Sequence, residues 1–246
     1  MGQVLELDVG NTAIKWRCLA TDGAVLGSGR LVGDVQGVDE LLLPDINLVR
    51  IASVAHSDRE EQLKSLLVSS GVKYLVATSQ VECAGLRSAY EDASKLGVDR
   101  WLAMVAAFKE CRGACVVIDA GTALTIDVVD AHGQHQGGYI LPGIELLLKV
   151  LNDGTGKVRF GQERARTIAP GINTDTCVHN GKWLSLLGAV WLALKEADLI
   201  IGGRYDVFIT GGDGLALKEL GGAAAESWHF SESLVLDGLA PVLTKA

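Results

Sequence analysis

Leu5-Glu6-Leu7-Asp8-Val9-Gly10-Asn11-Thr12 and, 111 residues further on, Val116-Val117-Ile118-Asp119-Ala120-Gly121-Thr122-Ala123 decide the fold. Each opens as a buried strand, ends in Asp-x-Gly and passes through a polar turn residue. Slid over one another, the flanking segments keep step. A second strand is expected over residues 13–19 and again over 124–129, with a second turn at Asp22-Gly23 and at His132-Gly133. A third strand then lies beside a glycine pair, Gly27 and Gly29 in one copy, Gly137 and Gly138 in the other. A three-stranded meander at the head of each half predicts a duplicated α/β architecture.

The rest of each half follows this frame. Residues 49–54 and 74–77 read as strands around a helix over 59–69, and Trp101, Leu102, Met104, Val105 and Phe108 mark one face of another helix. In the second half, 144–151 reads as a short helix. A long one is expected over 175–197, with Trp183, Leu184, Leu187, Val190, Trp191 and Leu194 inward. Gly181 and Gly188 fall on nearly one face of it and predict close helix packing. Residues 206–210 read as a strand running into Gly211-Gly212-Asp213-Gly214. The halves are expected at 1–113 and 114–246, with 152–173 a mobile connection.

Composition narrows the function. Glycine supplies 30 of 246 residues and proline only 4, a pairing that excludes disordered and collagen-like chains and fits many tight turns. A net charge of −8 with no basic block argues against a nucleic-acid surface. No apolar run approaches the roughly 18 residues of a membrane span, and the start lacks a basic signal-peptide region. Five scattered cysteines (Cys18, Cys83, Cys111, Cys115, Cys177) fit reduced thiols and a cytoplasmic protein. Cys111 with Cys115, or His132 with His135, has metal-ligand spacing but no second pair to complete a site.

An Asp-x-Gly turn between strands has a chemical use. Glycine lets the backbone approach a phosphate, the following N–H and hydroxyl groups donate to it, and the aspartate can hold a cation. Asp8, Gly10, Asn11 and Thr12 have each part, and Lys15 adds a charge. A single copy reads first as an ordinary hairpin turn. Two copies, with Thr-Gly-Gly-Asp at 210–213 after a third strand, outweigh that. P-loop and Rossmann signatures are missing. Asp99 reads first as the N-cap of the Trp101 helix, and second as a general base with Arg100 binding an anionic substrate group.

The arrangement resembles the sugar kinase, Hsp70 and actin superfamily, a duplicated ribonuclease H-like (actin-like ATPase) fold with a cleft between two related halves. More closely, D-x-G-N-T-x-x-K (8–15), Y-x₆-G-x-D-R (90–100), D-x-G-T-A (119–123), G-G-x-I-x-P-G (137–143), N-T (173–174) and T-G-G-D (210–213) resemble, in order and spacing, the type III pantothenate kinases. That resemblance implies ATP-dependent phosphorylation of pantothenate to 4′-phosphopantothenate, the first step of coenzyme A synthesis. It implies ATP binding by Asp8, Val9, Gly10, Asn11, Thr12, Ala13, Ile14, Lys15 and Thr122, with Asp99 as catalytic base. Tyr90, Gly97, Val98, Asp99, Arg100 and Thr174 would bind pantothenate, with Thr174 favoured over Thr176 by its spacing from Gly181. It also implies Mg²⁺ with the ATP, a monovalent cation (K⁺ or NH₄⁺) at Asp119, and a homodimer without nucleic-acid or membrane partners. Ala89 stands where many members carry proline, and Tyr139 where alanine is frequent; neither removes a chemical group. Two rival readings are a regulatory protein of the same fold without turnover, and a kinase for another small hydroxy acid.

Overall fold

The computed structural model describes residues 2–33, 35–54, 57–156, 158–162 and 166–244. Strands β1 (Gln3–Val9), β2 (Ala13–Leu19) and β3 (Val25–Val32) form an antiparallel meander, followed by β4 (Ile46–Ser53), α1 (Ser57–Ser70) and β5 (Lys73–Val76). The sheet order is β3-β2-β1-β4-β5, with β4 parallel to β1 and β5 parallel to β4. A small hairpin, β6 (Glu82–Cys83) and β7 (Leu86–Arg87), precedes α2 (Val98–Cys111). The second meander is β8 (Cys115–Ala120), β9 (Ala123–Val129) and β10 (His135–Pro142). After α3 (Ile144–Gly154) and α4 (Thr174–Ile201) come β11 (Asp206–Thr210), α5 (Gly214–Gly221) and β12 (His229–Phe230). Its order, β10-β9-β8-β11-β12, reproduces the first sheet strand for strand, with β11 parallel to both β8 and β12.

The repeat reaches the turn chemistry. Ala20 N–H donates to Ala24 O across a turn with Gly23 at φ 88°, and Asp130 N–H donates to Gln134 O across one with Gly133 at φ 78°. Both turns need the left-handed backbone that glycine adopts without strain.

One compact unit comprises the chain through Lys109 together with the residues from Ser233 onward. Alternation along β1 sends Leu5, Leu7 and Val9 into a core with Ile14, Val49, Ile51, Leu63 and Leu67. The opposite face carries Glu6, fully buried, between Arg17 of β2 and Arg50 of β4. The expected single apolar face of α2 is too modest: every residue from Trp101 to Ala107 is buried. The expected division into 1–113 and 114–246 also differs from the packing, because α6 (Leu234–Asp237) and α7 (Leu239–Leu243) belong with the first unit. Gly238 lies against the Leu102 carbonyl so closely that a Cβ there would collide with it. Arg17 pairs with Asp237 at 2.5 Å.

The second unit runs from Glu110 to Glu232. Val116, Ile118, Leu124 and Ile126 pack against Trp183, Leu187, Val190 and Leu194 of α4. Leu184, expected inward, is 55% exposed, and Leu192 is 62% exposed. Nothing among the described residues lies within 4 Å of a Cβ built at Gly181 or Gly188, so packing inside the chain does not account for them. The connection expected to be mobile is docked on α4 where it is described. His179 Nε2 donates to Gly161 O at 2.9 Å, Gly161 N–H to Asp175 Oδ1 at 3.0 Å, and Asn180 Nδ2 to Ala169 O at 2.8 Å. His135 and Asp127 form a buried pair 3.0 Å apart, and among the described residues no cluster of His, Cys, Asp or Glu could hold a metal.

Candidate active site

The β1–β2 register runs to the strand ends, with Asp8 opposite Lys15 and Val9 opposite Ile14. Cross-strand partners project to the same face. Asp8 and Lys15 therefore share the Glu6 face, while Val9 and Ile14 anchor the turn in the core. Gly10 N–H donates to Ala13 O at 3.0 Å, leaving Asn11 and Thr12 exposed at the tip. Arg59 of α1, which drew no notice in the sequence, donates from Nη1 to Asn11 O at 2.7 Å. The signal that could have found it is topological: α1 starts at the carboxyl end of β4, beside β1, where open α/β sheets bind ligands.

Asp99 is not the N-cap of α2. Trp101 N–H donates to Gly97 O, so the helix starts from Gly97 and Asp99 lies in its first turn. Its Oδ1 accepts the Arg100 N–H at 2.8 Å and rests over Gly97, where a Cβ would stand 2.7 Å from that oxygen. With glycine at 97 the carboxylate two residues on keeps this close approach; a Cβ there would push it aside. The positive end of the 14-residue helix faces the same carboxylate. Arg100 is only 6% exposed. Its Nη1 donates to Tyr90 Oη at 3.2 Å, and its guanidinium carbon lies 5.9 Å from the Tyr90 ring centre. Tyr90, Gly97, Asp99 and Arg100 are therefore one cluster, with buried Val98 as its apolar support.

In the second unit three sequence motifs converge backbone to backbone. Gly143 N–H donates to Thr122 O, and a Cβ at 143 would collide with the Gly121 carbonyl. Gly211, at φ 92°, lies against the Ala120 carbonyl and Asp119 Oδ1, and Asp213 N–H donates to Ala120 O. Only glycine fits at these two positions. The repeat is not symmetric here. Gly121 N–H closes onto Ala123 O, one residue sooner than in the first copy, so Asp119 faces Thr125 instead of a lysine. Thr122 is exposed at the tip.

Thr174 opens α4 and is exposed. Asn173 is the cap: its Oδ1 accepts Thr176 N–H at 2.9 Å, and Thr176 Oγ1 accepts Asn173 N–H at 3.3 Å. The Thr176 hydroxyl is spent on this capping box. The sequence favours Thr174 over Thr176 by spacing alone; the fold separates the two by giving Thr176 the capping duty.

Two sheets of one topology, each with an Asp-x-Gly turn after its first strand, define the class: a duplicated ribonuclease H-like (actin-like) fold. Solved structures share that fold. An acetate kinase from Porphyromonas gingivalis superposes with a TM-score of 0.50 at 9% identity, covering 99% of this chain and 100% of the other. A protein from Campylobacter jejuni described as a Baf family transcriptional activator gives 0.60 at 21% identity, covering 97% and 96%.

The family model for type III pantothenate kinase matches residues 4–195. The type III pantothenate kinase of Pseudomonas fluorescens (strain Pf0-1) is 41% identical over 246 residues, covering 96% of this chain and 97% of the relative. The chain belongs to the type III pantothenate kinase family. Among the described residues no helix is long and apolar enough to cross a membrane.

Proposed function

We propose that Asp99 accepts the proton of the pantothenate primary hydroxyl as that oxygen takes the γ-phosphoryl group of ATP, while Arg100 and Tyr90 hold the substrate's carboxylate end. The enzyme is an ATP-dependent pantothenate kinase, using ATP with a divalent metal at the first step of coenzyme A synthesis. The observation that carries the residue assignment is the Gly97–Asp99–Arg100–Tyr90 cluster. It holds a carboxylate in a fixed rotamer beside a buried guanidinium, which suits a bidentate carboxylate contact.

Residues 8–15 and Thr122 bind phosphate oxygens, the first loop with the Lys15 charge and both with turn N–H groups. Phosphoryl transfer of this kind is catalysed mainly by positioning and charge neutralisation. Thr174 binds pantothenate, a reading supported by its exposure and by the capping duty of Thr176. Asp119 holds the monovalent cation. Its strand neighbour Thr125 brings no competing positive charge, and Thr210, its partner on β11, has a buried Oγ1 with no hydrogen-bond partner among the described residues. An oxygen donor set with no multi-carboxylate cluster among the described residues suits a singly charged ion. Mg²⁺ and this cation, when bound, supply charge neutralisation at the phosphates.

The homodimer reading is supported by α4, where Gly181, Leu184, Gly188, Leu192 and Leu199 fall on one outward stripe. The cytoplasmic reading is supported by free thiols at all five cysteines.

The deciding experiment measures pantothenate-dependent ADP release for the parent and for Asp99→Asn, in K⁺ and in Na⁺. Asp99→Asn should lose at least about 100-fold in kcat, the lower range for a positioned base. The parent should turn over faster in K⁺. Near-parental turnover in Asp99→Asn would remove the base assignment, and equal rates in the two salts would remove the cation.

A further inference from the structure

The first phosphate loop is held from behind by a residue of a different element. β4 runs parallel beside β1, and Val54 N–H, just past β4, donates to the O of Val9, the last residue of β1. α1 then returns its third residue, Arg59, to the tip of the β1–β2 turn, where Nη1 donates to the Asn11 carbonyl at 2.7 Å. All peptides here are trans. A planar trans peptide points its C=O and N–H in opposite directions. Drawing the Asn11 carbonyl toward Arg59 therefore aims the Thr12 N–H away from it, on the far side of the turn.

The rest of the guanidinium is unusual. Nε and Nη2 of Arg59 are buried and have no hydrogen-bond partner among the described residues. Buried donors left unmatched cost stability, and in native proteins such groups call for an explanation. An arginine kept only for folding would be matched, or replaced by an apolar side chain of its size. Among the described residues Arg59 makes one hydrogen bond, and that donor grips the turn.

We propose that Arg59 is the positioning residue of the phosphate loop. It locks the 11–12 peptide so that the Thr12 N–H presents to the ATP phosphates, with a positive charge fixed behind the turn. This rests on reading residues 8–15 as the phosphate loop. The proposal concerns the nucleotide alone, because Arg59 acts through the Asn11–Thr12 peptide and not through the Asp99 cluster.

The test uses the full-length enzyme and the variants Arg59→Met, Arg59→Lys and Asp8→Asn. KM for ATP, KM for pantothenate, kcat and melting temperature are measured for each, with Arg59→Gln replacing the methionine variant should that one not accumulate. Arg59→Met should raise KM for ATP about tenfold while KM for pantothenate stays within about twofold, the split that loss of one charge-assisted contact at the loop predicts. Its melting temperature should hold, since two unmatched buried donors leave with the lost hydrogen bond. Arg59→Lys, which keeps one donor, should recover part of the ATP effect. A KM for ATP within twofold of the parent overturns the proposal, as does a lowered melting temperature with both KM values rising together. Asp8→Asn separates the two possible failures. If it weakens ATP use and Arg59→Met does not, only the role of Arg59 falls; if neither does, the loop assignment falls with it.

Discussion

Replacing Glu6 by Gln should lower the melting temperature of the protein by weakening the first unit. Glu6 is fully buried and accepts three hydrogen bonds: from Arg17 Nη2 at 2.6 Å, from Arg17 Nε at 3.0 Å and from Arg50 Nη1 at 3.1 Å. Arg17 is itself mostly buried. Burial alone would lower its pKa, but hydrogen bonds to Asp237 and Glu6 outweigh that and hold it above the ordinary arginine value. Glutamine keeps the shape, removes the charge and turns an N–H₂ group toward a guanidinium that can only donate. Two partly buried cations would then lose their shared counter-charge.

Breaking a buried pair from one side costs about 3–5 kcal/mol. Asp237 still accepts from Arg17, which argues for the lower part of that range. For a chain of this size each kcal/mol moves the melting point by about 2–4 °C, so a fall of about 6–12 °C is expected. Circular dichroism melts and urea titrations measure it, with the linear extrapolation applied only if the transition is single. A triple variant, Glu6→Leu with Arg17→Met and Arg50→Met, should recover most of the loss, because an apolar set replaces the charges without leaving one unpaired. A fall of less than about 2 °C for Glu6→Gln would refute the claim that this ladder holds the sheet face.

Three further outcomes follow from single contacts. Cys111 is held at about pKa 7, chiefly by a hydrogen bond from Cys115. Its iodoacetamide labelling should therefore climb through pH 7 and level off above it, as thiolate replaces thiol. Burial raises Cys18 and Cys83, so their labelling should still be climbing at pH 9; peptide mass spectrometry resolves the sites, and a Cys111 rate still rising steeply at pH 9 contradicts the assignment. Gly211→Ala should abolish activity and lower the melting point, since its Cβ meets the Ala120 carbonyl at a left-handed φ. Gly212→Ala, with nothing within 4 Å, should melt within about 2 °C of the parent, and equal losses in the two variants would discount the close approach. Leu184→Glu should shift the protein from dimer to monomer by light scattering without lowering its stability, because Leu184 is exposed within the chain; an unchanged mass would clear α4 of the interface role.

What the sequence could show was what repeats locally. Strand alternation in Leu5-Glu6-Leu7 and Val116-Val117-Ile118, the Asp-x-Gly turns and the helical spacing of Val190 and Leu194 are properties of adjacent residues. They located both meanders, β4, β5, β11 and the helices α1 to α4 to within a few positions, while β6, β7, β12, α6 and α7 went unread, and the ordered motif set carried the family. Boundaries slipped where ends fray, as at α4, which starts one residue before and ends four after the expected 175–197.

The remaining features depend on groups far apart in the chain. That α6 and α7 join the first unit follows from Arg17 meeting Asp237, and from Gly238 meeting Leu102. That Leu184 faces outward depends on how α4 rolls on its sheet, a choice of a few tens of degrees that periodicity near a stripe's edge leaves undecided. That Asp99 does not cap α2 turned on whether the helix starts at Gly97 or Asp99, a single hydrogen bond. Arg59 reaches the Asn11 carbonyl because a parallel crossover returns α1 to the β1 turn. The sequence by itself thus determined the strands of the two meanders, the duplicated plan and the family, because those are written in short-range pattern. The tertiary structure decided which charges are buried together and which carbonyl an arginine grips, because burial and hydrogen bonding are set by partners that sequence spacing does not reveal.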